Sequence, residues 1–299
     1  MGHGSTLASG KSVPESIPHR RKAAHWLEEA GDALASVFFA ADCRICETLL
    51  TNSARIPICE KCLRSFTPVP SRACELCGQP LPSFDEDSYG VAQGQSDAPF
   101  ALVPSDKPAA QLICPNCQPP IYAFARARSL AIYEDELVSA ILLLKYERLA
   151  PLGAWFAARL AELVQKQGTA MEADLVVPVP LHKVRQKQRG YNQAELIAKP
   201  LARTLGLPYR PVLLLRTKSR PGTHVLSSQQ RWESVRGAFA TRPGSQVDKQ
   251  RVLLVDDVLT TGATLDACAR ALLDSGAKSV LGLTVARAAR SPQSRPSLS

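Results

Sequence analysis

Across its 299 residues the chain holds no apolar run long enough to cross a bilayer. The longest, around Ala140–Leu144, falls far short of the roughly 20 residues that a spanning helix needs. A secretory signal is also missing: the basic cluster HRRK at 19–22 leads into an acidic amphipathic stretch, not an apolar core. Both absences lead us to expect a cytoplasmic protein without a membrane span. The phosphate loop of a Walker-type NTPase is lacking as well. Its near match, Gly4 to Gly10-Lys11-Ser12, is one residue too long and follows no strand. Aromatics are scarce at 6%. Acids are scarcest between Leu181 and Arg236, where twelve Lys/Arg face only Glu195 and Glu233, a surplus of ten in a chain of net charge +9. That segment would draw a polyanion, either a phosphate-rich small molecule or a nucleic-acid backbone, or it is simply a solvated basic face. For stacking bases it offers only Tyr191, Tyr209 and Trp232, a thin platform for single strands.

What is present suffices for one medium domain plus a small module, since 45% of residues are hydrophobic. The most informative stretch is RVLLVDDVLTTGAT at 251–264. Arg251–Val255 predicts a buried parallel strand, covered on both faces and free of alternation. Asp256 and Asp257 follow, then the small and hydroxyl residues Thr260, Thr261, Gly262, Ala263 and Thr264. A helix is predicted over Leu265–Ser275, capped by Gly276. Ligands of open α/β sheets sit outside the carboxyl ends of the strands. A loop of small residues entering a helix offers N–H groups and a dipole end to a phosphate, whereas paired carboxylates favour hydroxyls or a metal. Together they ask for a ribose 5-phosphate. A Walker B strand and an ordinary strand–helix turn are the competing readings.

Eight of nine cysteines fall in four CxxC pairs: Cys43/Cys46, Cys59/Cys62, Cys74/Cys77 and Cys114/Cys117. In a cytoplasmic chain this spacing predicts metal knuckles before disulfides. Two pairs can close one tetrahedral site, so eight ligands predict two structural Zn²⁺ ions, with the partnership of the pairs left open. Cys268 stands alone on the helix after the 260–264 loop and is expected to be a small core residue.

Residues 252–264 resemble the phosphoribosyl-pyrophosphate (PRPP) loop of type I phosphoribosyltransferases. VVPVPLH (176–182), RGYNQAELIA (189–198) and LKY (144–146) further resemble the ComF-type competence family of that superfamily. The resemblance implies an α/β fold, a mainly parallel sheet flanked by helices, with a small N-terminal double zinc ribbon. It implies PRPP as ligand, Asp256 and Asp257 on the ribose hydroxyls, and Thr260–Thr264 on the 5-phosphate. PVPLHK (178–183), with Pro180, Leu181, His182, Lys183, Arg185 and Arg189, resembles the pyrophosphate loop. RTKSRPGTHVLSSQQR (216–231) resembles the hood over the substrate, with Arg220 and Arg231 as phosphate-binding residues.

The predicted organisation is a polar tail (1–22), an amphipathic helix (23–42), the zinc module (43–120), the transferase-like domain (127–287) and a Ser/Pro-rich tail (291–299). Displacing pyrophosphate builds positive charge on the ribose and negative charge on the leaving group, so orientation and electrostatics suffice without a covalent nucleophile. Mg²⁺ would bridge oxygens of PRPP. Two functional classes stand side by side. One is a Mg²⁺-dependent phosphoribosyltransferase with an unassigned nitrogen acceptor. The other is a single-stranded-DNA-handling protein of competence type, working with DNA-uptake partner proteins and using PRPP as a signal or not at all.

Overall fold

The computed structural model describes residues 41–50, 55–82, 112–118, 122–218, 227–245 and 247–289. The amphipathic helix expected before Cys43, the residues around Arg220 and both tails lie outside them. The chain divides into two units, Met1–Cys59 and Glu60–Ser299. In the first, β1 (Ala41–Asp42) pairs antiparallel with β2 (Leu49–Leu50). The second opens with α1 (Glu60–Arg64) and is dominated by an α/β sheet.

Four strands, all parallel, form that sheet: β3 (Arg126–Ile132), β4 (Leu175–Pro178), β7 (Arg251–Leu259) and β8 (Ser279–Arg287), in the spatial order β3-β8-β7-β4. The central strands carry continuous apolar runs because both faces are covered. Val252, Leu253, Leu254 and Val255 are fully buried, as are Val176, Val177, Leu283 and Val285. Crossovers are made by α2 (Asp135–Tyr146), α3 (Ala150–Gln167), α5 (Gln193–Leu205) and α7 (Ala263–Leu273). Each turns an apolar stripe inward: Phe156 and Leu160 from α3, Ile197 and Leu201 from α5, Leu265 and Leu272 from α7. Cys268 is buried on α7, and burial pushes its thiol pKa up, as suits a small core residue.

Several local features differ from the sequence expectation. β7 runs on through Leu259 instead of ending at Val255, so the aspartate pair belongs to the strand. Helix α7 starts two residues early and its regular part stops at Leu273, while Gly276 (φ 94°) closes the end as expected, the Ala277 amide donating to the Leu272 carbonyl at 3.1 Å. Phe239–Thr241 (β6) pairs antiparallel with β5 (Leu214–Arg216) in a separate small sheet. The stretch after Pro180, expected as a loop, contains the helix α4 (Lys183–Arg189).

Candidate functional site at the carboxyl edge of the sheet

β4 and β7 are neighbours, with Pro178 opposite Val255 and the Val179 amide donating to the Val255 carbonyl at 2.8 Å. The segments that follow them therefore emerge side by side at the carboxyl edge. Toward its carboxyl end β7 carries the aspartates. Asp256 Oδ1 accepts from the Asp257 amide at 2.9 Å, and Asp257 Oδ1 from the Val258 amide at 2.8 Å. These bonds fix the two carboxylates as a pair on an extended backbone. Burial raises the pKa of Asp256, and the adjacent Asp257 charge raises it further.

Lys145, the middle residue of LKY, places Nζ 2.8 Å from Asp257 Oδ2, with both side chains largely buried. Burial by itself lowers the pKa of this ammonium; the Asp257 carboxylate outweighs that, and the net direction is upward. In the sequence Lys145 is visible only as part of a motif. Its signal is a cation on the helix face that carries Ile141 and Leu144.

The loop from Thr260 enters α7 through Gly262 in left-handed conformation, φ 81°. A Cβ there would stand 2.6 Å from the Tyr122 ring, so the position requires glycine twice over. Thr261 Oγ1 accepts from the Ala263 amide at 3.3 Å, and Tyr122 donates to the Thr261 carbonyl at 2.8 Å. Thr261, Gly262 and Ala263 are buried; Thr260 and Thr264 are half-buried. The first amides of α7 have no intrahelical acceptor by construction, which leaves them to caps or to an anion.

After β4 the chain passes Pro180, Leu181 and His182, all half-buried, and enters α4. His182 is its cap, Nδ1 accepting from the Val184 amide at 3.3 Å. On α4, Lys183 is exposed while Arg185 and Arg189 are half-buried. Arg189 donates to Gln193 at 2.6 Å and lies over the Tyr146 ring at 5.1 Å. RGYN is a clamp: Tyr191 donates to the Leu144 carbonyl and accepts from the Arg148 amide, while Asn192 donates to the Val179 carbonyl and accepts from the Ala194 amide. It ties the end of α2, and so Lys145, to the segment leaving β4. Arg231 sits on α6 (Ser228–Glu233), whose Trp232 stacks on Tyr122 at 5.9 Å. Arg220 lies outside the described residues.

The cysteines form two clusters, Cys43/Cys46/Cys59/Cys62 and Cys74/Cys77/Cys114/Cys117, each with its sulfurs within 4.8 Å of one another. In the first the Cys46 and Cys59 sulfurs are 3.6 Å apart; in the second Cys114 lies 3.5 Å from Cys117 and 3.7 Å from Cys77. A disulfide would need about 2.05 Å. Zn–S bonds of about 2.3 Å in a tetrahedron put the sulfurs roughly 3.8 Å apart. The donor set fits zinc. In each cluster an amide donates to a sulfur at 3.3 Å, Cys59 to Cys43 and Cys114 to Cys74. The first CxxC of each turns through a left-handed residue, Glu47 (φ 60°) and Gly78 (φ 67°). Consecutive pairs thus share a site, which spacing alone leaves open.

A parallel sheet with paired carboxylates and a small-residue loop at its carboxyl edge, in a chain with two four-cysteine clusters, defines a phosphoribosyltransferase-type domain joined to a zinc ribbon. Two family models agree: the phosphoribosyl transferase domain matches residues 192–297 and the double zinc ribbon domain residues 34–93. The DNA utilization protein YhgH of Salmonella typhimurium is 30% identical over 215 residues, covering 69% of this chain and 93% of that protein. Competence protein F of Haemophilus influenzae is 35% identical over 116 residues, covering 38% and 51%. A solved glutamine PRPP amidotransferase from B. subtilis, complexed with ADP and GMP, aligns at TM-score 0.30 and 25% identity over 44% of this chain and 26% of that one. The chain belongs to the ComF-type competence family of the phosphoribosyltransferase superfamily. Among the described residues no helix is long and apolar enough to cross a membrane.

Proposed function

We propose that this protein binds PRPP with Mg²⁺ at the carboxyl edge of its sheet and acts on the phosphoribosyl group. The observation that carries the reading is the Asp256–Asp257 pair running directly into a glycine-turned loop at the start of α7. Carboxylates bind hydroxyls and loop amides bind phosphate, and the two ends of a ribose 5-phosphate present those groups in the same order.

The chain's own groups divide the work by charge. Asp256 and Asp257 hold the ribose hydroxyls and lie close to the sugar as its C1 gains positive character. Lys145, 2.8 Å from Asp257 Oδ2, orients that carboxylate. Thr260 to Thr264 fix the 5-phosphate. The 180–182 turn and Lys183, Arg185 and Arg189 face the pyrophosphate, where negative charge accumulates on departure. Arg220 and Arg231 belong to the segment that would cover the ligand. Mg²⁺ fits as an ion arriving with PRPP, because Asp257 Oδ2 already faces an ammonium and is not free to be a resident ligand. When bound, it would neutralise phosphate charge.

A second reading has its own support. α4 is basic, has no buried residue, and adjoins Tyr146, which is 70% exposed beneath Arg189. The relatives' names speak of DNA utilization and competence. Single-stranded DNA is therefore the alternative occupant of the basic side. Calorimetry with PRPP and Mg²⁺ tests the first reading, with binding expected in the micromolar range typical of metabolite sites. Anisotropy of a labelled oligonucleotide, with and without PRPP, tests the second. Release of pyrophosphate in the presence of a nitrogen acceptor would make the protein a transferase.

A further inference from the structure

Arg287 ends β8 and is 1% exposed, among the largest fully buried side chains described. A guanidinium there must satisfy its five N–H donors or incur a large desolvation cost. Its partners join two places. Nε donates to the Cys77 carbonyl at 3.1 Å, and Nη2 lies 3.6 Å from Cys77 Sγ. Nη1 donates to the carbonyls of Leu259 (2.9 Å), Thr260 (2.8 Å) and Ala288 (2.9 Å). One side chain thus grips a ligand residue of the second cysteine cluster and the first carbonyls of the 260–264 loop. Tyr122 repeats the pattern. It packs against the same four cysteines, donates to the Thr261 carbonyl at 2.8 Å, and fills the space in front of Gly262.

Three successive carbonyls, of Leu259, Thr260 and Thr261, are therefore held from the cysteine side. In a planar trans peptide the N–H points opposite to the C=O. Holding those carbonyls turns the amides of Thr260, Thr261 and Gly262 the other way, away from Arg287 and Tyr122. A loop that binds phosphate through its amides needs that orientation fixed before the ligand arrives. A zinc ion with four thiolates carries a net charge of about −2, which a buried guanidinium complements.

We infer that Arg287 and Tyr122 are positioning residues of the anion loop, and that the second cysteine cluster, loaded with zinc, is the buttress through which they set its amides. The identity of the anion rests on the PRPP reading; the coupling does not. Linkage makes the effect reciprocal: if metal in this cluster raises anion affinity, the anion raises metal affinity by the same factor.

The test uses the full-length zinc-loaded protein and begins without ligand. Amide exchange is followed by mass spectrometry in peptides spanning 258–264. Arg287→Lys keeps the charge but not the fork, and Tyr122→Phe keeps the ring but not the donor. Exchange at Ala263, whose amide is held by Thr261 Oγ1 and so reports the order of the loop, should quicken about tenfold in the first and by a smaller factor in the second. Val285→Ala opens a cavity in the same strand and serves as the control. At matched global stability it should leave 258–264 unchanged, an outcome that a merely structural role for Arg287 does not produce. Zinc transfer to a chromogenic chelator is then timed with and without PRPP–Mg²⁺. One of the two zinc ions should leave several-fold more slowly with PRPP, and Arg287→Lys should erase the difference. Unchanged loop exchange in both variants overturns the inference, and if Arg287→Lys does not fold, Tyr122→Phe decides alone. Quickened exchange with no calorimetric PRPP binding supports the coupling while removing the PRPP reading.

Discussion

The segments that leave β4 and β7 stand side by side, yet they are built in opposite ways. On the β7 side, Asp257, Thr261, Gly262 and Ala263 are buried, and the backbone is held by Arg287 and Tyr122. After β4, the helix α4 buries none of its residues, and its cations project from a surface. A buried, pre-oriented wall recognises one shape, because any mismatch strands a polar group away from water. An exposed basic helix recognises charge and tolerates many backbones. A protein able to take both PRPP and single-stranded DNA would be expected to divide its surface in this way. Changes on the β7 side should therefore abolish binding, whereas changes on the α4 side should grade it.

The largest effect is expected from Asp256→Asn with Asp257→Asn. Each hydrogen bond to a carboxylate contributes roughly 1.5–3 kcal/mol, so PRPP affinity should fall by about a hundredfold or more. Asp256→Asn alone should also raise the thermal midpoint. The pKa of Asp256 is raised in the fold, so the unfolded chain gives up this proton first and stability declines as pH rises above the ordinary carboxylate pKa. A neutral amide removes that penalty. Wild-type affinity in the double variant would refute the site, and a lower midpoint for Asp256→Asn would refute the electrostatic account.

Lys145→Met comes next. Removing one member of a buried pair leaves the other uncompensated and costs about 3 kcal/mol or more. The pair is largely but not wholly shielded, Lys145 keeping 21% of its side-chain exposure, so the lower figure is the better guide. Denaturant titration should show the loss, and Lys145→Met combined with Asp257→Asn should recover part of it. Strict additivity would mean that the pair does not couple.

The same contrast explains what can be read from the sequence. β7, the carboxylate pair and the start of α7 are local: an apolar run, two acids and a small-residue turn, all within 251–264. The four CxxC pairs are equally local. What escapes a reading of the sequence is tertiary. Lys145, Tyr122 and Arg287 meet the β7 segment from elements distant in the chain, and no spacing rule connects them to it. Arg287 does leave a trace, as a cation ending the otherwise apolar and neutral VLGLTVA. α4 escapes for another reason. KVRQKQR has no apolar stripe to set a helical period, and its cap, His182, is not among the usual N-cap residues. Gly276 is legible for a local reason: it is left-handed at φ 94°, with its amide donating to the Leu273 carbonyl at 2.9 Å and the Ala277 amide to the Leu272 carbonyl at 3.1 Å, the glycine cap that the sequence predicts.

On the α4 side the effects should be gradual. Replacing Lys183, Arg185, Lys187 and Arg189 one at a time by alanine should lower the salt slope of oligonucleotide binding by roughly 0.7 for each phosphate that the variant no longer neutralises. PRPP affinity should change less than tenfold per substitution, since these groups face solvent-screened charge. Thermal stability should hardly move for Lys183 and Lys187, which are exposed. A single α4 substitution that abolished PRPP binding outright would erase the distinction between the two walls.

The smallest effect lies at the other end of the same strands. Just before β4, Asp174 accepts from the Arg251 amide at 2.7 Å and pairs with the Arg251 guanidinium at 2.6 Å, at the start of β7. Those hydrogen bonds hold the Asp174 carboxyl at about 2, below its ordinary value. A depressed carboxyl pKa means that the unfolded chain binds the proton first as pH falls. The stabilisation is therefore complete above the unfolded value near 4 and disappears as pH falls toward 2. The pair keeps about a third of its side-chain surface in solvent and is screened there, so its contribution at neutral pH is small. Asp174→Asn should lower the midpoint slightly at pH 7, and the gap from wild type should close on acidification. PRPP binding at pH 7 should be unchanged, because the pair ties β4 to β7 at their amino ends while both ligand-facing segments leave the carboxyl ends. Loss of PRPP affinity in Asp174→Asn would show that strand spacing, and not the local build of each wall, sets recognition.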